Sequence, residues 1–233
     1  MTLRLSTELV RYPFYVEREL TLPQGEPRLE LDESITNRGE RELDYIWQHH
    51  IALGPPFVGS QAYLSLSATK GVVEEYGDAY PNGRLKSGAT FEWPHAPNRD
   101  GGTVDFSEFP DYDATIHDLA FATELEDGWY GVANSDLNLG FGVSFPKELF
   151  ESVWYWQAFG GFHESPYFNR NYTVGIEPTT AYPSRNLTKA QRETGTIKTL
   201  APEETVSATL TAFTYPITDA QTLPPFVSAE TNE

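Results

Sequence analysis

The sequence predicts an all-β protein, a large antiparallel β-sandwich with few short helices. Apolar and polar residues alternate along many segments, as expected for strands with one buried face. The 18 glycines and 17 prolines stand mostly between these segments, where they act as turn residues. Helical patterns are confined to two short stretches, near Lys147–Phe150 and Thr188–Glu193.

The alternation is clearest near the C-terminus, in residues 205–215. Val206, Ala208 and Leu210 fall on one face there, and threonines fall on the other. The same pattern predicts strands at Leu3–Val10, Phe14–Leu22, Leu29–Ile35, Leu43–His50, Tyr63–Ala68, Asp118–Glu124, Trp129–Asn134, Leu139–Phe145, Val153–Phe159 and Thr173–Ile176.

Two connections are predicted to be long loops without regular structure, Gly77–Ser87 and Ala89–Thr115. The second loop contains Trp93. Loops of this length are usually functional or mobile.

The composition predicts one domain, residues 1–233, because no linker or charge block divides the chain. No apolar run approaches the roughly 20 residues that span a bilayer, and the N-terminus lacks the features of a signal peptide. We therefore expect a cytoplasmic protein. The absence of cysteine excludes disulfides and thiolate chemistry.

The charge balance of 34 acidic against 16 basic residues gives a net charge of -18. Such a surface repels phosphate backbones and anionic lipids. Nucleic acid and membrane are therefore excluded as expected partners.

Two consecutive histidines end a predicted strand, in the segment Trp47-Gln48-His49-His50. Neighbouring residues of a strand point to opposite faces, so Trp47 and His49 share one face while Gln48 and His50 share the other. One histidine at most can therefore reach a given pocket. Surface or capping histidines are the alternative interpretation.

A glutamate, Glu177, stands near the end of a predicted strand between Ile176 and Pro178. A carboxylate that is partly desolvated among apolar neighbours has a raised pKa and is a better base near neutral pH. The alternative is a solvated carboxylate at a strand end.

An aromatic strand, Trp154 to Phe159, runs into a glycine pair. Aromatic rings stack on the C–H faces of sugars, and amides hydrogen-bond to hydroxyls, so Trp156 and Gln157 are candidate sugar ligands. The alternative is that these rings fill the core. The remaining histidines lack metal-ligand spacing, and no nucleotide fingerprint is present, so we expect neither a metal nor a cofactor.

The segments Trp47–Gly54 and Val174–Pro178 resemble the histidine segment and the base-bearing strand of aldose 1-epimerases, the galactose mutarotase-like proteins. The order of Trp93-Pro94 and Trp156-Gln157 between them is also similar. The resemblance implies the galactose mutarotase-like supersandwich fold.

Carried over position by position, the resemblance makes His50 the general acid and Glu177 the general base, with His49 as the competing acid. The candidate substrate-binding residues are His49, Trp93, Trp156 and Gln157. The substrate-binding aspartate of that family has no matching residue in this sequence. The chain resembles an N-terminally shortened member, which a second copy could complete as a homodimer.

The function expected from these residues is interconversion of hexose anomers, with a sugar-sized gap between His50 and Glu177. A non-catalytic carbohydrate-binding or scaffold sandwich is one alternative. A carbohydrate lyase or hydrolase that uses Tyr172 or Tyr182 is another.

Overall fold

The computed structural model describes residues 1–75, 82–184, 192–219 and 221–225, and antiparallel strands dominate it. The strands are β1 (Thr2–Glu8), β2 (Phe14–Thr21), β3 (Arg28–Asn37), β4 (Leu43–Tyr45), β5 (Ala52–Leu53), β6 (Ala62–Val73), β7 (Thr90–Glu92), β8 (His95–Pro97), β9 (Thr103–Asp105), β10 (Ile116–Asn134), β11 (Leu139–Ser144), β12 (Ser152–Phe159), β13 (Tyr172–Thr179), β14 (Lys198–Leu200) and β15 (Thr205–Pro216). The all-β prediction is confirmed.

Strand β10 is the central strand of the main sheet and belongs to both layers of the sandwich. Its first half pairs with β12 and its second half pairs with β11, while β6 follows it along both halves. The register of β6 against β10 shifts between Leu125 and Tyr130, as at a β-bulge. One layer continues from β11 through β15, β3 and β2 to β1, and the other continues from β12 through β13 to β5.

The core lies between these layers and follows the alternation of the strands. Val143 and Leu210 of the first layer belong to the same buried cluster as Val153, Tyr155 and Ile176 of the second. In β15, Ala208 and Leu210 are buried and Thr209 between them is exposed. The pattern predicted for residues 205–215 is therefore confirmed.

Several predicted boundaries were wrong. The strand predicted over Leu43–His50 ends at Tyr45, and the chain resumes strand geometry at Ala52. The two strands predicted over Asp118–Glu124 and Trp129–Asn134 are one strand, β10, whose register against β6 shifts between Leu125 and Tyr130.

The predicted loop Ala89–Thr115 contains β7, β8 and β9, and β8 and β9 form a hairpin. The prediction for Gly77–Ser87 lies partly outside the described residues. The helix predicted at Thr188–Glu193 does so as well, and residues 192–194 are helical. Lys147–Phe150 forms a single turn in which Phe150 N donates to Pro146 O at 3.0 Å.

Throughout the described ranges, no helix has the length and apolarity needed to cross a bilayer.

Gly128, at the register shift of β10, is closely approached by the backbone of Phe145. The carbonyl oxygen of Gly128 accepts a hydrogen bond from Phe145 N at 2.8 Å, and a Cβ on Gly128 would lie 1.8 Å from Phe145 O. Because that oxygen is backbone, it cannot move aside without distorting β11. We expect Gly128→Ala to lower the free energy of unfolding by about 2 to 3 kcal/mol in urea denaturation.

The control for this variant is Leu137→Ala, which removes an apolar side chain that is 44% exposed and should change stability by less than about 0.5 kcal/mol. A Gly128→Ala protein with the wild-type midpoint would contradict the requirement for glycine at this close approach.

Candidate active site

Residues 47–53 run beside β13 and bring the histidine segment to Glu177. His49 N donates to Pro178 O, Ile176 N donates to Ile51 O, and Thr180 N donates to Trp47 O, each at 3.0 Å. Gly175 then pairs with Ala52 of β5. This pairing joins two segments that are far apart in sequence.

Side chains of this segment alternate between the two faces of the layer, as the sequence predicted. Trp47 and His49 are buried on the core side. Gln48 and His50 lie on the outer side, where both contact Glu177. The His50 side chain is 63% exposed.

His49 is held in the core by a buried carboxylate. Its Nε2 lies 2.9 Å from Oε2 of Glu33, whose side chain is 1% exposed, and Arg18 binds the other carboxylate oxygen. Burial alone would raise the pKa of Glu33, but the contacts with His49 and Arg18 together outweigh it and lower that pKa. The ring of His49 also packs edge-on against Phe150 at 5.3 Å. The structure thus places His49 on the opposite face from Glu177.

Glu177 is nearly buried, and its carboxylate has two partners from the histidine segment. Its side chain is 4% exposed. Gln48 donates a hydrogen bond from Nε2 to Oε2, and His50 Nε2 lies 3.5 Å from Oε1. Burial raises the pKa of Glu177 to about 7, although His50 and Gln48 act in the opposite direction. The carboxyl group can therefore exchange a proton near neutral pH.

The contact between His50 and Glu177 differs from the sugar-sized gap expected from the sequence. The two groups lie at ion-pair distance because a nearly buried carboxylate is stabilised by the closest available donor. The His50 ring also makes an edge-on contact with Trp156 at 6.0 Å. A ligand between His50 and Glu177 would have to displace the exposed His50 ring.

Trp156 lies across the strand pair from Gly175 and therefore shares a face with Glu177. Its Nε1 donates to Nε2 of His117 at 3.2 Å. Burial lowers the pKa of His117 to about 3, so this ring is neutral and can accept that bond near neutral pH. Phe162 and Tyr167 complete an aromatic cluster with Trp156, at 5.9 and 6.2 Å between ring centroids.

His117 was not predicted to belong to this site. The missing signal was the pairing of β10 with β12, which places His117 opposite Ala158 and so on the Trp156 face.

Gln157 and Trp93 are not brought to Glu177. Gln157 points to the core side, where its Oε1 accepts from Arg84 Nη2 at 2.6 Å and its Nε2 donates to the hydroxyl of Tyr155 at 3.1 Å. The ring of Trp93 packs edge-on against Tyr155 at 5.8 Å, also on the core side. Of the predicted site residues, His50, Glu177 and Trp156 therefore share one face.

Among the described residues, no three or more histidine, aspartate or glutamate side chains are grouped so that they could hold a metal ion.

Comparison with protein families identifies the chain. The model of the domain of unknown function DUF4432 matches residues 5–213. The chain belongs to the DUF4432 family. No curated protein sequence matches this DUF4432 chain significantly.

Several solved structures with a similar fold are described as aldose 1-epimerases or galactose mutarotase-like proteins. A provisionally assigned aldose 1-epimerase from Escherichia coli K12 aligns with a TM-score of 0.65 and 15% identity over 93% of this chain and 65% of its own. One from Klebsiella pneumoniae aligns with a TM-score of 0.62 and 17% identity over 94% and 50%. A galactose mutarotase-like protein from Clostridium acetobutylicum gives 0.59 and 16% over 93% and 62%.

The DUF4432 chain thus spans between half and two thirds of the length of these neighbours. The similarity confirms the resemblance at the level of the fold. At these identities it shows the fold alone.

The raised pKa of Glu177 predicts a pH-dependent loss of stability. The folded state holds the proton up to about pH 7 and the unfolded chain releases it near 4.5, so stability falls as pH rises between these values. Glu177→Gln removes this effect. We expect the variant to exceed the wild type in free energy of unfolding by about 2 kcal/mol at pH 8, with little of this difference at pH 4.

Urea titrations at the two pH values measure this difference. The matched control is Glu148→Gln, which changes an exposed carboxylate and should leave the pH dependence unchanged. A constant difference between Glu177→Gln and the wild type across this range would contradict the burial of an ionising carboxyl group.

Proposed function

We propose that the protein is an aldose 1-epimerase that interconverts the anomers of a hexose or a related sugar. The observation that supports this function most is the nearly buried Glu177, whose pKa is about 7, with a histidine beside it on the same face. An acid and a base are the groups that opening and closing a sugar ring requires.

In the proposed reaction, Glu177 removes the proton of the anomeric hydroxyl while protonated His50 donates a proton to the ring oxygen. The bond between C1 and the ring oxygen breaks, and C1 becomes an aldehyde. After rotation of the aldehyde, the ring oxygen attacks its other face, His50 takes back its proton, and Glu177 returns a proton to the new anomeric hydroxyl. No atom is gained or lost, so the cycle needs no cofactor.

Other residues on this face have supporting functions in the proposal. The hydrogen bond from Gln48 fixes one carboxylate oxygen of Glu177, and the other oxygen is the one that faces His50. Trp156 provides an apolar face for the sugar ring, since its N–H is already bonded to His117. The sugar enters by displacing the exposed His50 ring from Oε1 and remains between the two groups.

One observation favours a second function, non-catalytic carbohydrate binding. His50 and Glu177 are in direct contact at 3.5 Å, and the cluster of Trp156, Phe162 and Tyr167 could bind a sugar without either group. This alternative predicts sugar binding with no change in the rate of anomer exchange. The cytoplasmic location and the homodimer stay predictions.

Both groups of the acid and base pair should be needed for activity. We expect Glu177→Gln and His50→Asn each to reduce enzyme-dependent anomer exchange by about 10²- to 10⁴-fold, the contribution of a positioned proton-transfer group. Polarimetry of freshly dissolved α-anomers of several aldohexoses, corrected for the spontaneous rate, measures this effect.

Matched controls are Glu148→Gln and His95→Asn, which change an exposed carboxylate and an exposed histidine and should retain the wild-type rate. Survival of the full rate in both site variants would exclude the mechanism. The wild-type protein could instead be stabilised thermally by a sugar while leaving the spontaneous rate of anomer exchange unchanged. That result would support the binding function.

A further inference from the structure

Gly175 lies directly beneath the carboxylate of Glu177. Residues two apart in a strand share a face, so a side chain at position 175 would stand beside that of Glu177. An ideal Cβ built on Gly175 would lie 2.2 Å from Oε1, 3.1 Å from Cδ and 3.4 Å from Cγ of Glu177. The Glu177 side chain therefore folds back along its own strand into the space that a Cβ would occupy.

The backbone gives no other reason for a glycine at this position. Gly175 is inside β13, paired with Trp156 on one side and Ala52 on the other, and it does not adopt a positive φ. Glycine in a strand interior weakens the strand and commonly marks close approach of another group. Here the nearest atoms to the missing Cβ all belong to Glu177.

The position of the carboxylate over Gly175 is also the one in which it meets its partners. Gln48 and His50 reach Glu177 from the neighbouring segment, and Trp156 stands opposite Gly175. A carboxylate pushed off Gly175 would move away from the sheet surface toward solvent. It would then lose the geometry of the Gln48 hydrogen bond and of the contact with His50.

We propose that Gly175 is a positioning residue: its missing side chain creates the recess that holds the Glu177 carboxylate against Gln48 and His50. The catalytic role of this recess rests on the proposed function, whereas the presence of the recess can be tested without any sugar. The atom that a Cβ would meet is the end of a flexible side chain, so Gly175→Ala should fold and displace only the carboxylate.

The direct test is titration of the Glu177 carboxyl carbon by ¹³C NMR in protein labelled at the glutamate side-chain carboxyls. The resonance is assigned by its loss in Glu177→Gln. In the wild type we expect a midpoint near 7, and in Gly175→Ala a midpoint that moves down toward 4.5. An unmoved midpoint in folded Gly175→Ala would overturn the proposal.

The matched control is Gly59→Ala. There too a Cβ would meet the end of a side chain, the hydroxyl of Tyr112 at 2.8 Å, and Tyr112 is 59% exposed. This variant should keep the wild-type titration of Glu177. A midpoint that moves equally in both variants would also overturn the proposal, because the effect would then not be specific to Gly175.

Folding is monitored by circular dichroism and thermal melting. If Gly175→Ala does not fold, the double variant Gly175→Ala/Glu177→Ala, which removes the side chain that the new methyl group would meet, should restore folding. A double variant that also fails to fold would assign Gly175 to packing of the sheet and overturn the proposal.

The activity readout follows from the same displacement. We expect Gly175→Ala to lower kcat for anomer exchange by at least about tenfold, with a smaller change in KM. The reason is that a misplaced base stabilises the transition state less than a correctly placed one does. Full activity of Glu177→Gln would refute the proposed function. The NMR titration would still decide the position of the carboxylate.

Discussion

The backbone pairing of residues 47–53 with β13 is the constraint on which the site depends. Three hydrogen bonds fix the register, and strand alternation then sends His49 to the core and His50 to the outer face. A slip of one residue would exchange the two histidines. The buried contact between His49 and Glu33 opposes such a slip, because it would be lost at the same time.

Two buried glutamates show how partners determine the behaviour of the same side chain. Glu33 faces a buried histidine and an arginine, and its pKa is lowered despite its burial. Glu177 faces a neutral amide and an exposed histidine, and burial dominates so that its pKa is raised to about 7. The first arrangement joins the two layers of the sandwich, and the second keeps a proton exchangeable at the surface of one layer.

The sequence predicted much of the fold because alternation is a local property. The same rule separated His49 from His50 correctly. Applied to Trp156 and Gln157, it would also have shown that these neighbours cannot share a face, and the structure does place them on opposite faces. Alternation predicts which residues share a face of the sheet. It does not predict which of the two faces carries the candidate site.

Features that depend on pairing between distant segments could not be predicted. His117 reaches Trp156 because β10 lies beside β12, and no motif in the sequence specifies that neighbour. The direct contact of His50 with Glu177 depends on side-chain rotamers. The sequence gives no reason for a glycine at position 175. The reason depends on the side-chain conformation of Glu177, two positions later.

A carboxyl group with a pKa of about 7 is present in both protonation states near neutral pH. At neutral pH roughly half of the molecules carry the proton and half do not. The form that accepts a proton and the form that donates one are therefore both available at that pH. A shift of one pH unit in either direction would leave only about a tenth of the molecules in one of the two forms.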